Sequence, residues 1–186
     1  MCKLIIVGPI TRVRRAGQNR LLWVEFYPDD YGFEFEFFEH FPSFPYPELK
    51  NNDVYANLYN GLNTTIDFAK RVIRWNMGRY DYAYIHFKET DVPGHDGKPK
   101  EKKRMVEMLD TGFFSFIKEL NQREKVKIVI TGDHSTVCSV KAHTSDALPF
   151  LVVGGGKDET SRFNESEAKK GEIGKIYGKD VMQFIL

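Results

Sequence analysis

Apolar positions recur every three to four residues in two stretches of the chain and gather into short unbroken runs between them. That pattern predicts helices alternating with strands. Leu58, Leu62, Ile66, Ala69, Val72 and Ile73 fall on one helical face, and Asp53 stands where it can cap that helix. Met105, Leu109, Phe113, Phe116, Ile117 and Leu120 form a second stripe, in a helix opened by Lys98-Pro99-Lys100 with proline in its first turn. Residues 81–87, 126–130 and 148–153 are predicted strands, and the β-branched 126–130 run is typical of one covered on both faces. Residues 181–186 read as a short terminal helix. The expectation is an α/β fold, a mostly parallel sheet with helices on both faces.

Residues 1–50 differ. Their apolar start, Leu4-Ile5-Ile6-Val7, stops at Gly8-Pro9 and reads as a strand rather than an export signal. Residues 10–15 and 20–27 predict a hairpin turned at Ala16-Gly17-Gln18-Asn19. Phe33-Glu34-Phe35-Glu36-Phe37 alternates strictly, and Pro42, Pro45 and Pro47 end regular structure after it. The expected organisation is an aromatic-rich β segment over 1–50 and an α/β domain over 51–186. So many aromatics predict that the first segment covers a sheet edge, within the chain or by forming an oligomer.

Composition narrows the class more than the chemistry. The 186 residues suffice for one core, with 41% hydrophobic and 28% charged residues as in an ordinary globular protein. A formal net charge of +1 gives no electrostatic footprint for nucleic acid. No apolar run is long enough to span a bilayer, so no membrane is expected, and the reading is cytoplasmic. Cys2 and Cys138 are too few for a disulfide framework or a cysteine-rich zinc site. Lys98, Lys100, Lys102, Lys103 and Arg104 make a solvated helix start or steer an anionic substrate.

Chemistry gathers where strands are predicted to end. Asp91 and His95 follow the 81–87 strand, Asp133 and His134 follow the 126–130 strand, and His143 precedes the next. Their loops are expected at one sheet edge, where ligands converge in open α/β sheets. Mixed carboxylate and imidazole donors suit Mn or Zn better than Ca or a thiolate-seeking ion. His86 is assigned to packing or to hydrogen bonding behind the ligands, and Asp96 and Asp146 to orienting ligands or to turns and caps.

These loops carry a resemblance. Ile85-His86-Phe87-Lys88-Glu89-Thr90-Asp91-Val92-Pro93-Gly94-His95-Asp96-Gly97, Thr131-Gly132-Asp133-His134-Ser135-Thr136 and Ala142-His143-Thr144-Ser145-Asp146-Ala147-Leu148-Pro149-Phe150 resemble the archaeal-type cofactor-independent phosphoglycerate mutases of the alkaline phosphatase superfamily. Gly171-Glu172-Ile173-Gly174 and Gly178-Lys179-Asp180 add a weaker echo, and the likeness covers roughly residues 53–186. It implies an alkaline-phosphatase-like fold and two divalent metal ions, Asp91, His95 and His143 holding one and Asp133 and His134 the other. It also implies a phosphorylated small-molecule substrate, 3- and 2-phosphoglycerate, and a serine that carries the phosphoryl group between two in-line steps.

Here the chain departs from the family pattern. The early metal-ligand Asp and the nucleophilic serine have no counterpart in residues 1–50, the substrate domain is largely missing, and Val137 stands where the family more often has proline. The expected partner is therefore a separate chain or parent segment supplying the nucleophile. Ser135 is the candidate hydroxyl within the chain, with Thr136, Ser139 and Ser145 nearby, but adjacency to a ligand supplies neither base nor line of approach. The alternatives are a metal-dependent phosphate-ester hydrolase and an inactive metal-binding or interaction domain.

Overall fold

Asp53 begins the longest helix, α1 (Val54–Asn76), by accepting hydrogen bonds from the Tyr55 and Ala56 amides at 2.9 and 3.2 Å. The face predicted to be apolar is the buried one: Leu58, Leu62, Ile66, Ala69, Val72 and Ile73 all lie in the core. The computed structural model describes residues 4–7, 21–26, 53–77, 82–124, 126–154 and 156–185, with side chains left out at 4–7, 21–26, 76, 82 and 182. The predicted hairpin arm at 10–15 and the Phe33–Phe37 alternation lie outside them.

Among the described residues five strands form one sheet in the order β2-β3-β1-β4-β7. These are β1 (Leu4–Val7), β2 (Leu21–Phe26), β3 (Tyr82–Phe87), β4 (Lys127–Ile130) and β7 (Leu151–Val153). Strand β1 is parallel to both β3 and β4, and β2 is parallel to β3. Because β1 lies between β3 and β4, the sheet runs across the division expected at residue 50. Residues Tyr84, Ile85, His86 and Phe87 are buried without a break, as in a strand covered on both faces.

Strand β7 runs antiparallel to β4, with Leu151 opposite Ile130. The connection from Thr131 to Phe150 holds a small hairpin, β5 (Ser135–Val137) and β6 (Ala142–Thr144), and no crossover helix. Parallel neighbours need a crossover, so the returning chain pairs in the opposite sense. The strand is also shorter than the 148–153 run, because Pro149 has no amide to donate to a ladder.

The second apolar stripe folds as two helices, α3 (Pro99–Leu109) and α4 (Ser115–Glu124), joined by a π turn at Asp110–Phe114. Met105, Leu109 and Phe113 step by four residues, which drifts about 40° per step around a regular helix. The wider π turn takes up the surplus and keeps all three buried with Phe116 and Ile117. Gly112 lets this turn approach α1 closely, since a Cβ there would lie 3.3 Å from Ile66 methyl carbons. The chain ends in α5 (Glu165–Ala168) and α6 (Val181–Ile185), the latter matching the predicted terminal helix. No helix among the described residues is long and apolar enough to cross a membrane.

Among the described residues one carboxyl is sealed inside. Glu89 is fully buried, its Oε1 lies 3.0 Å from Thr65 Oγ1, and its Oε2 has no hydrogen-bond partner among the described residues. Burial raises its pKa, outweighing the Thr65 bond and the nearby His86 ring. A carboxyl whose folded pKa is raised contributes stability in full below its unfolded pKa and loses it as pH rises through the folded one. Glu89→Gln keeps the shape and removes the titration. The variant is expected to gain on the wild type in urea-unfolding stability as pH rises from about 4, the unfolded carboxylate value. A difference that stays constant over that rise would contradict the buried neutral carboxyl.

Candidate metal centre

The end of β3 turns through Lys88, Glu89 and Thr90 into a one-turn helix, α2 (Val92–His95). Asp91 opens it, its backbone carbonyl accepting from the Gly94 and His95 amides at 2.9 and 3.2 Å. Residues four apart share a helical face, so Asp91 and His95 meet, with Oδ2 3.4 Å from Nε2. Asp133 and His134 follow β4 after Thr131 and Gly132. The β5–β6 hairpin then pairs Thr136 with His143 and carries that histidine back to the same place. Lys141, in the left-handed region at φ 56°, closes the hairpin turn. Strands β3 and β4 are both parallel to β1 and end at one sheet edge. Strand β7, running the other way, begins there, so the antiparallel return is what brings the His143 loop to the same edge.

All five predicted ligands gather at this edge. His95 Nε2 lies 3.1 Å from His143 Nε2, which is 3.6 Å from Asp91 Oδ1. The His134 and His143 rings stack with centroids 3.5 Å apart, and His134 Nε2 lies 2.9 Å from Asp133 Oδ2. Asp91, His134 and His143 offer ligand atoms that all fall within 4.8 Å of one another. Asp91 and His143 thus belong both with His95 and with His134, a tighter arrangement than two separate ligand sets.

The donor spacing fits a cation. Two donors each about 2.1 Å from a tetrahedral ion lie about 3.4 Å apart, and the His95, His143 and Asp91 separations bracket that value. Asp91 is prepared for the role. Burial pushes its carboxyl up, but the Thr136 hydroxyl and the His95, His134 and His143 rings outweigh this and hold it below the usual carboxylate range. His143 and His95 are about half exposed, at 51% and 44%, so the cluster is open to solvent on their side.

The flanking residues have other neighbours. Asp96 Oδ2 accepts from Tyr55 Oη at 2.6 Å, tying α2 to α1, and Asp146 Oδ2 accepts from Thr144 Oγ1 at 2.7 Å, beside His143 in the chain. His86 is buried in β3, with its ring 6.5 Å from that of Tyr84. Ser135 adjoins Thr136 in β5, and strand alternation points its side chain away from the face on which Thr136 meets Asp91. Cys138 Sγ lies 3.7 Å from the Pro93 carbonyl oxygen.

A family profile described as the metalloenzyme superfamily matches residues 33–186. The chain belongs to the metalloenzyme superfamily. It is 43% identical over 120 residues to the 2,3-bisphosphoglycerate-independent phosphoglycerate mutase of Pyrococcus abyssi, which is 63% of this chain and 29% of that relative. The enzyme of the same name from Thermoplasma volcanium is 35% identical over 133 residues, 70% of this chain and 30% of the relative. A solved structure of a Pyrococcus horikoshii protein superposes with a TM-score of 0.57 at 39% identity, covering 66% of this chain and 36% of the other. The likeness read from the loop motifs is borne out, and the superfamily membership carries metal binding and an α/β fold with it. The chain spans about 29% of the length of the archaeal mutase it matches in Pyrococcus abyssi.

Proposed function

We propose that this chain is the metal-binding part of a phosphoryl-transfer enzyme that interconverts 3- and 2-phosphoglycerate in the cytoplasm. The observation that carries this reading is the convergence of Asp91, His134 and His143 within 4.8 Å, with His95 and Asp133 against them. Asp91, His95 and His143 hold one ion and Asp133 and His134 the other, and the donor chemistry favours Mn or Zn. When bound, such ions neutralise phosphate charge and lower the pKa of an attacking oxygen.

The chain's own groups define what remains to be done. Asp91 stays ionised and supplies negative charge at the centre of the cluster. The half-exposed rings of His95 and His143 leave one side open for the phosphate ester. Lys102 is committed elsewhere, since its Nζ donates to the Thr136 carbonyl oxygen at 2.7 Å, so it supports the hairpin instead of meeting substrate. Ser135 faces away from Asp91, which favours a nucleophile supplied by a separate chain or parent segment, along with the substrate-binding groups beyond the metal centre.

The purified chain is accordingly expected to bind 3-phosphoglycerate only when Mn²⁺ or Zn²⁺ is present, and to show little mutase turnover alone. Calorimetry with and without EDTA, beside a coupled assay for 2-phosphoglycerate, checks both. Binding that is equal in EDTA, or absent with metal, would contradict the reading. Robust turnover by the chain alone would return the nucleophile to these residues.

A further inference from the structure

Thr136 is 4% exposed, yet it touches both groups of ligands. Its Oγ1 lies 2.5 Å from Asp91 Oδ1 and 3.0 Å from His134 Nδ1. Its backbone is fixed from two sides, by pairing with His143 across the hairpin and by the Lys102 ammonium on its carbonyl oxygen. Gly94 is what admits it: a Cβ there would lie 2.7 Å from Thr136 Cγ2 and 2.8 Å from its carbonyl oxygen.

A hydroxyl has one proton to give and two lone pairs to offer. An ionised carboxylate only accepts, so the Thr136 proton goes to Asp91. The remaining contact then requires that Thr136 accept and that His134 Nδ1 donate. With Nδ1 donating to Thr136, Nε2 is the nitrogen left to face Asp133 Oδ2, at 2.9 Å, and to meet a cation. The groups behind a ligating histidine set its tautomer and orientation in this way, usually through a carboxylate or a carbonyl. Here a threonine would do so while also fixing the carboxylate of the other ligand set.

We propose that Thr136 is the positioning residue that joins the two halves of the metal centre. It orients the Asp91 carboxylate and holds the His134 ring with Nδ1 on its hydroxyl and Nε2 turned to Asp133, where a cation would bind. The proposal rests on the metal-binding reading of the same site, and its test is chosen so that the two can fail separately.

The test compares wild type, Thr136→Ser and Thr136→Val. Nitrogen-15 NMR of the metal-free chain, with His134 assigned through a His134→Gln variant, reads the tautomer. Calorimetry with Zn²⁺ reads affinity. Wild type and Thr136→Ser are expected to show His134 protonated on Nδ1 and to bind Zn²⁺ similarly. Thr136→Val, still folded by its amide spectrum, is expected to lose the Nδ1 signature and about 10- to 100-fold in affinity. A wild-type His134 with no proton on Nδ1 overturns the proposal whatever the metal does. So does a Thr136→Ser variant that loses as much as Thr136→Val, or a Thr136→Val variant that loses nothing. A wild-type chain with the Nδ1 signature that binds no Zn²⁺ overturns the metal-binding reading while leaving the hydrogen-bond assignment standing.

Discussion

Asp91→Asn is expected to abolish measurable Zn²⁺ and Mn²⁺ binding while leaving the chain folded. Asp91 lies against histidines of both halves of the cluster: Oδ2 faces His95 at 3.4 Å, Oδ1 faces His143 at 3.6 Å, and it groups with His134 within 4.8 Å. An amide preserves the shape but carries no charge, and it removes the acceptor-only group that takes the Thr136 proton. The loss should exceed the roughly 10- to 100-fold that follows removal of an outer partner. His95→Ala, which removes one exposed ring, should cost less. Calorimetric titration of the two variants beside wild type checks the order, and equal losses would contradict the central place given to Asp91. Wild-type binding should also weaken on acidification, since carboxylate and imidazole bind cations only when deprotonated.

Gly94→Ala should be the most damaging single-methyl change in the site. The added carbon would sit 2.7 Å from Thr136 Cγ2, 2.8 Å from its carbonyl oxygen and 2.9 Å from its Cβ. Two of those atoms are fixed close to the backbone of β5, so rotating a side chain cannot relieve the clash. The hairpin must move off α2, carrying His143 and shifting Thr136 from between Asp91 and His134. Overpacking of this kind costs about 1–3 kcal/mol, and metal affinity should fall with it. Gly178→Ala is the matched control, because nothing lies within 4 Å of a Cβ built there. Urea unfolding and Zn²⁺ calorimetry on both variants check this. A Gly94→Ala chain as stable and as tight-binding as Gly178→Ala would mean that the close approach of α2 to β5 does not hold the site together.

The elements were legible where one local signal decided them. The α1 stripe and its Asp53 cap were readable because periodicity and capping act within a few residues. The convergence of the five candidate residues was readable because each lies in a loop that leaves or enters an apolar run. The direction of β7 was not, since Leu151-Val152-Val153 buries as well in either sense. The π turn was hidden for a similar reason, the four-residue spacing of Met105, Leu109 and Phe113 being close enough to a helix to pass as one. Placing β1 between β3 and β4 depends on pairings across 75 residues or more, which no window of sequence contains. Thr136 was visible only as a hydroxyl near a ligand. Its link to Asp91 spans 45 residues and exists only once α2 and the hairpin have docked.

The most direct test of the central claim is X-ray absorption at the zinc edge of the Zn²⁺-loaded chain. The expected spectrum shows nitrogen and oxygen ligands at about 2.0–2.2 Å, with the outer-shell scattering of at least two imidazoles and no sulfur. That signature should disappear in Asp91→Asn. A shell of water oxygens without imidazole, or a zinc–sulfur distance of about 2.3 Å pointing to Cys138, would contradict the assignment of Asp91, His95, Asp133, His134 and His143 as the metal centre.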